Sequence, residues 1–180
     1  KQRIWPFEAA HDAASLAASA RLGICELLRG GTTTLLDMGT VRHTEEIFRA
    51  AAASGIRLVG GKAMMDQGAG VPAGLRDTTR AALDESDALA TAWHGAAGGR
   101  LRYAYAPRFV LSCTRELFEE VGRSARARGL MIHTHASENR REGEAVRALL
   151  GRSDIEYFHE LGLTGPGLAL AHCVWPGARE

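Results

Sequence analysis

The sequence has little that would tie it to a membrane, a nucleic acid or an oxidising compartment. Its 180 residues include three cysteines, Cys25, Cys113 and Cys173, and no two stand in CxxC spacing. Isolated thiols build neither a disulfide framework nor a zinc ribbon, so a reducing, cytoplasmic setting is expected. No apolar run approaches the roughly 20 residues that a bilayer-spanning helix requires. The opening residues 1–6 lack the apolar centre of a signal peptide. A dominant charge is also missing: 22 basic and 21 acidic side chains leave a formal net charge of +1, with the signs interspersed. That excludes a basic nucleic-acid groove and a basic membrane arm. What remains is an ordinary globular balance, 46% apolar and 24% charged, long enough for one domain with a real core.

Along the chain, strand-like and helix-like segments alternate. Residues 12–28 carry Leu16, Ala20, Ile24 and Leu27 at helical spacing, with Asp12 as N-cap and Gly30-Gly31 as stop. Residues 32–38 are rich in β-branched side chains and read as a strand. Residues 44–54 form the next helix, with Glu45 and Glu46 in its first turn and Gly55 at its end. A strand over 56–65, a helix over about 75–94, a strand over 100–106 and a helix over 114–128 follow. The run 130–136 is the next strand, helices are expected over 141–150 and 155–161, and a buried strand covers 167–174. Five strands separated mostly by helices imply an α/β fold with a parallel sheet. Both an open doubly wound sheet and part of a (β/α)8 barrel satisfy that order. Neither GxGxxG nor the P-loop pattern occurs at any strand-to-helix turn. Polar residues instead gather just after several strands, at Asp37, Asp66, Arg108, Glu138 and His172, which favours the barrel.

The densest chemistry is in Leu130-Met131-Ile132-His133-Thr134-His135-Ala136-Ser137-Glu138-Asn139. A strand alternates faces, so His133 and His135 point the same way and Ile132 and Thr134 the other. Glu138 has the opposite parity from His135, and the two converge only if the strand ends near Ala136. His172 closes the following strand. In a parallel sheet those two strand ends share one rim, so His135 and His172 can reach a single metal ion or its bound water. Asp37 is read as a turn or cap residue and Cys173 as packing.

With these residues in view, the chain resembles the amidohydrolase superfamily, in the branch of guanine deaminases, nucleoside-type deaminases and triazine chlorohydrolases. His135-Ala136-Ser137-Glu138-Asn139 and Ala171-His172-Cys173-Val174-Trp175 look like its fifth- and sixth-strand motifs. Ala106-Pro107-Arg108-Phe109-Val110-Leu111-Ser112-Cys113 is similar to a guanine deaminase segment. Gly31-Thr32-Thr33-Thr34 and Gly61-Lys62-Ala63-Met64-Met65-Asp66 match the second and third strands.

The resemblance implies a (β/α)8 TIM-type barrel, with residues 1–180 covering about strands two to six. It implies one divalent metal, zinc or iron, with His135 as a ligand. Glu138 would carry the proton from metal-bound water to a ring nitrogen, and His172 would orient the attacking hydroxide. Arg108 and Phe109 would contact and stack on a purine, and Glu8 matches a glutamate that holds ribose hydroxyls in nucleoside-type members and has a similar counterpart in base-type members. Arg108 stands where those members usually have histidine, so a base of guanine type is the expected substrate. A nucleoside-type deaminase and a triazine chlorohydrolase are the alternatives in the same class, and a non-catalytic barrel scaffold the alternative in another. The first-strand HxH pair and the eighth-strand aspartate do not occur in these residues. The polypeptide is therefore expected to be inactive and metal-poor by itself. Relatives of this kind are commonly dimers or larger. The cytidine-deaminase pattern, HxE with PCxxC, is absent.

Overall fold

The computed structural model describes residues 3–177 and 180; Lys1, Gln2, Ala178 and Arg179, including the start of the opening segment, lie outside the described residues. A short helix α1 (Ile4–Ala9) precedes α2 (Ala13–Arg29). Asp12 caps α2 by accepting from Ser15 N at 2.7 Å, while Ser15 Oγ accepts from Asp12 N at 3.0 Å. This reciprocal pairing satisfies two of the donors that a helix start leaves open. The strands are β1 (Thr34–Asp37), β2 (Arg57–Gly60), β3 (Ala63–Met64), β4 (Leu101–Pro107), β5 (Met131–Ala136) and β6 (Leu168–His172). Between them lie α3 (Glu45–Ser54), α4 (Thr79–Trp93), a distorted single turn α5 (Ala96–Gly99), α6 (Arg115–Arg128), α7 (Arg140–Leu150) and α8 (Asp154–Glu160).

All strand pairs are parallel, in the order β1-β2-β4-β5-β6, with β3 also beside β4. The result is a parallel half-barrel with helices on its outside. Every strand's C-terminal end therefore lies on one rim, where α/β barrels keep their chemistry.

The outer face carries Leu58, Leu101, Tyr103, Tyr105 and Ile132, which pack with Phe48, Leu117 and Phe118 in the main core. Tyr103 stacks on Phe48 at 6.0 Å and meets Tyr105 edge-on at 5.8 Å. Burial pushes the Tyr103 phenol up to about 12. The opposite face is unevenly covered. Leu36 on β1 is 47% exposed, whereas Ala104, Ala106 and His133 are buried. A smaller apolar cluster of Trp5, Met38, Val41, Met65, Leu75 and Phe109 closes over Ala106 near the rim.

Three features differ from the periodicity reading. The strand expected over 56–65 breaks into β2 and β3, which keep one register against β4 (Leu58 faces Leu101, Ala63 faces Ala106). At the break, Gly61 lies so close to β4 that a Cβ would fall 2.0 Å from Ala104 O. The following Lys62 N donates to the Tyr103 hydroxyl at 3.2 Å instead of joining the ladder. Helix α4 begins at Thr79, where Thr78 accepts from Ala81 N at 3.1 Å, because a 3-10 turn occupies Ala73–Leu75. Helix α1 had no assignment from spacing: six residues are too few to show a period. Pro6 is tolerated there because first-turn N–H groups have no intrahelical partner.

Candidate functional site

Strand β5 ends at Ala136, which is the condition for His135 and Glu138 to converge. Ser137 turns the chain with φ 48°, and at the neighbouring strand end His172 and Cys173 have φ 73° and 46°. Left-handed backbone at residues other than glycine costs on the order of 1–3 kcal/mol each, and such positions cluster at functional sites. Here three of them meet. They are stitched together: Ala136 O accepts from Cys173 N at 3.0 Å, and Ser137 O accepts from Val174 N and Trp175 N, both at 3.1 Å.

Each side chain is held by a distinct element. His135 N and His135 Nδ1 both lie against Arg108 O, at 3.0 and 2.9 Å. A carbonyl only accepts, so Nδ1 carries the proton and Nε2 keeps the lone pair. Desolvation lowers the His135 pKa, which favours the neutral ring that a metal requires. The His172 ring stacks on His135 with centroids 5.0 Å apart and planes at 27°. His172 Nε2 lies 3.9 Å from Glu138 Oε2. His133 is buried one step deeper on the same face, 6.3 Å ring to ring from His135. Its Nδ1 has no partner among the described residues, and burial pulls its pKa down to about 4.

Arg108 and Glu8 form one unit. Arg108 Nη1 donates to Glu8 Oε2 at 2.9 Å, with the two side chains only 20% and 13% exposed. Glu8 Oε1 accepts from Val41 N at 3.4 Å. Arg108 N donates to Met64 O at 3.1 Å, which ties the loop after β4 to β3. Phe109 follows with extended backbone and is buried in the cluster with Trp5 and Val41. Arg108 thus joins two groups: its side chain meets Glu8, and its carbonyl holds His135.

The remaining strand-end polar residues are structural. Asp37 accepts from Gly39 N at 3.1 Å within its own turn, and desolvation raises its pKa. Asp66 accepts from Thr114 N at 2.7 Å and from the Thr79 hydroxyl at 2.8 Å, fastening its loop to two helix starts. Cys173 is half-buried against the main core.

A buried carboxylate that spacing did not flag lies under the rim. Asp154, 4% exposed, accepts from Ser137 N at 2.6 Å and from Ser137 Oγ at 3.0 Å. Its one sequence signal is the capping box formed by Ser153 and Glu156 around it, which marks a helix start and nothing more. Lys62, whose sequence context marks only a strand segment, is fully buried among Val41 O, Asp77 and Glu85.

Among the described residues no group of three or more His, Cys, Asp or Glu side chains is disposed to hold a metal. The donors present nevertheless fit one as far as they go. His135 has its outer nitrogen available and its inner one bonded to a carbonyl, the usual arrangement of a ligating histidine. The unpartnered His133 Nδ1 leaves the adjoining interior polar as well.

A model of the amidohydrolase family matches residues 7–180. The chain is 36% identical over 174 residues to a 5'-deoxyadenosine deaminase of Methanothermobacter thermautotrophicus, covering 96% of this chain and 38% of that protein. It is 37% identical over 156 residues to the guanine deaminase of Escherichia coli, covering 84% of this chain and 35% of that protein. The solved structure of E. coli guanine deaminase superposes with a TM-score of 0.85 at 29% identity, over 98% of this chain and 41% of the other. A zinc-complexed atrazine chlorohydrolase of Arthrobacter aurescens superposes at 0.84 over 96% of this chain and 41% of the other; at 22% identity the likeness is one of fold. The chain spans under two fifths of the length of these two sequence relatives, 38% and 35%.

Proposed function

The chain belongs to the amidohydrolase family, and from that footing we propose that it acts in the hydrolytic deamination of an aminated N-heterocycle, a purine base of guanine type. The observation that carries this reading is the meeting of His135, His172 and Glu138 on the rim, with the ring stack at 5.0 Å and the carboxylate at 3.9 Å. A silent scaffold has no use for a neutral histidine, a carboxylate and a second histidine kept together over strained backbone.

His135 would hold one divalent ion, zinc or iron, through Nε2, together with the first- and eighth-strand ligands of the family pattern. When bound, such an ion lowers the pKa of coordinated water from 15.7 to about 7. Glu138 takes a proton from the attacking water and delivers it to the ring nitrogen beside the amino-bearing carbon, which makes that carbon electrophilic. His172, stacked on His135 and facing Glu138, orients the water with its ring nitrogen. The exchange is balanced: water oxygen bonds to carbon, and the amino group leaves as ammonia with the transferred protons. Arg108 presents its guanidinium edge to a ring carbonyl or nitrogen, and Phe109 shapes the apolar wall behind it.

Arg108, standing where nucleoside-type members usually have histidine, favours a base over a nucleoside. Glu8 Oε2 accepts from Arg108 Nη1 and Oε1 from Val41 N, so Glu8 holds Arg108, and each oxygen keeps a lone pair that a substrate hydroxyl can meet. The similarity to a 5'-deoxyadenosine deaminase supports the nucleoside-type reading as the second. No helix among the described residues is long and apolar enough to cross a membrane, and a small-molecule substrate met in the cytoplasm is part of the proposal.

The test is an ammonia-release screen of a full-length protein that carries residues 1–180 together with the first- and eighth-strand ligand segments, on guanine, isoguanine, 8-oxoguanine, adenosine, 5'-deoxyadenosine, pterins and aminotriazines. Guanine is expected to be turned over fastest. Preference for 5'-deoxyadenosine would replace the base reading, and no release from any compound by metal-loaded protein would sink the deaminase reading.

A further inference from the structure

Asp154 spends its carboxylate on the turn that carries Glu138. It opens α8 and is 4% exposed, and it forms no ion pair among the described residues. Oδ1 accepts from Ile155 N at 2.9 Å and from Ser137 Oγ at 3.0 Å, while Oδ2 accepts from Ser137 N at 2.6 Å. Two of these three bonds thus converge on one residue seventeen positions earlier. That residue, at φ 48°, is where β5 leaves the sheet. Only Glu138 separates Ser137 from Asn139, whose side chain caps α7 by accepting from Glu142 N at 3.0 Å. The Ser137 carbonyl in turn accepts from Val174 N and Trp175 N, just beyond His172.

We infer that Asp154 is a positioning residue for the proposed deamination: by clamping Ser137 in the left-handed conformation it sets the places of Glu138 and, through the Ser137 carbonyl, of His172. The inference rests on the deaminase reading of the rim. The physical reason is local. A serine left to itself prefers β or right-handed backbone, and glycine alone takes positive φ without help. Releasing Ser137 lets the turn relax and swings the Glu138 carboxylate away from His172. Neither Arg108 nor Glu8 bonds to this turn, so the substrate clamp is untouched; His135 keeps its tie to Arg108 O.

The test uses the same metal-loaded full-length protein as the screen above, with guanine, or the substrate which that screen finds, as substrate. Asp154→Ala is expected to lower kcat about 100-fold, the scale of a 1 Å misplacement of a reacting group, with KM within about twofold of the parent value. Asp154→Asn keeps an acceptor for Ser137 N–H and is expected to lose less. Adding Ser137→Gly to Asp154→Ala is expected to recover part of the loss, because glycine needs no clamp. Hydrogen exchange gives a readout independent of turnover. In Asp154→Ala, peptides covering 136–139 and 173–176 are expected to exchange faster while β4 and α6 keep the parent rates. An unchanged kcat per folded molecule, a loss residing in KM, or faster exchange throughout the protein would each overturn the assignment. If the unsubstituted, metal-loaded protein releases no ammonia from guanine or from any other compound of the screen, the deaminase reading fails. In that case the exchange contrast alone decides whether Asp154 holds the turn.

Discussion

Two polar clusters lie at the C-terminal ends of the strands, and they are built on opposite principles. The Lys62 cluster is closed. Its ammonium has three donors, and Val41 O, Asp77 and Glu85 surround it, the two carboxylates at 3.0 Å each. Arg42 completes it with Asp77 at 2.6 Å. The His135–His172–Glu138 cluster is open. Its side chains are half exposed at His172 and Glu138, and His135 has one nitrogen bonded and one to spare. Paired charge in the first cluster holds loops together, whereas in the proposed function the open His135 nitrogen at the rim is what meets the metal. The two clusters also tie different parts of the rim. The first joins the loops after β1 and β3, and the second joins the ends of β5 and β6.

This contrast can be broken experimentally. Glu138→Gln in the full-length protein is expected to lower ammonia release by about 10²- to 10⁴-fold, the usual contribution of a general acid–base group, with an unchanged melting temperature and metal content. Unchanged turnover would remove the proton-carrier role. Lys62→Met is expected to do the reverse. It leaves Asp77 buried without its cation and costs about 3 kcal/mol in urea denaturation, near the low end for a broken buried pair because Glu85 reaches solvent. Turnover per folded molecule should change far less than in Glu138→Gln. A large kcat loss without destabilisation would mean that the two clusters are one machine.

Metal loading sharpens the same comparison. Residues 1–180 alone are expected to retain well under one equivalent of zinc or iron after dialysis, since the proposal assigns them one ligand, His135; stoichiometric, tightly held metal would refute this. The smallest effect is expected at Asp37, whose raised pKa reports a cost of burying its charge. The folded pKa lies above 3.8, so stability is favoured while the group is protonated and is lost as pH rises through the folded value. Asp37→Asn keeps an acceptor for Gly39 N and should raise the melting temperature slightly at pH 7. The gain should vanish at pH values below 3.8, and a destabilised variant at pH 7 would contradict it.

Much of the fold was legible because its signals are local. The Asp12 cap, the stop at Gly30 and the glycine that ends α3 at positive φ follow from turn and cap chemistry within a few residues. The parity of His135 and Glu138 made their convergence conditional on a strand end near Ala136, and β5 ends there. The gap after Gly60 was illegible, because it depends on how close β4 passes. So was α1, which is folded by packing Trp5 into the rim cluster and not by any period.

The sequence by itself determined the family resemblance, the alternation of strands and helices, and the identity of His135, Glu138, His172, Arg108, Phe109 and Glu8 as the residues to watch. These are matters of motif and spacing, which a linear chain carries openly. The tertiary structure alone decided that Glu8 grips Arg108 across 100 residues, that the Arg108 carbonyl fixes the His135 tautomer, and that Asp154 clamps Ser137. Those contacts depend on the register of parallel strands and on which loop ends share a rim. No local periodicity encodes that, because the sheet brings together side chains whose separation along the chain exceeds any repeat in it.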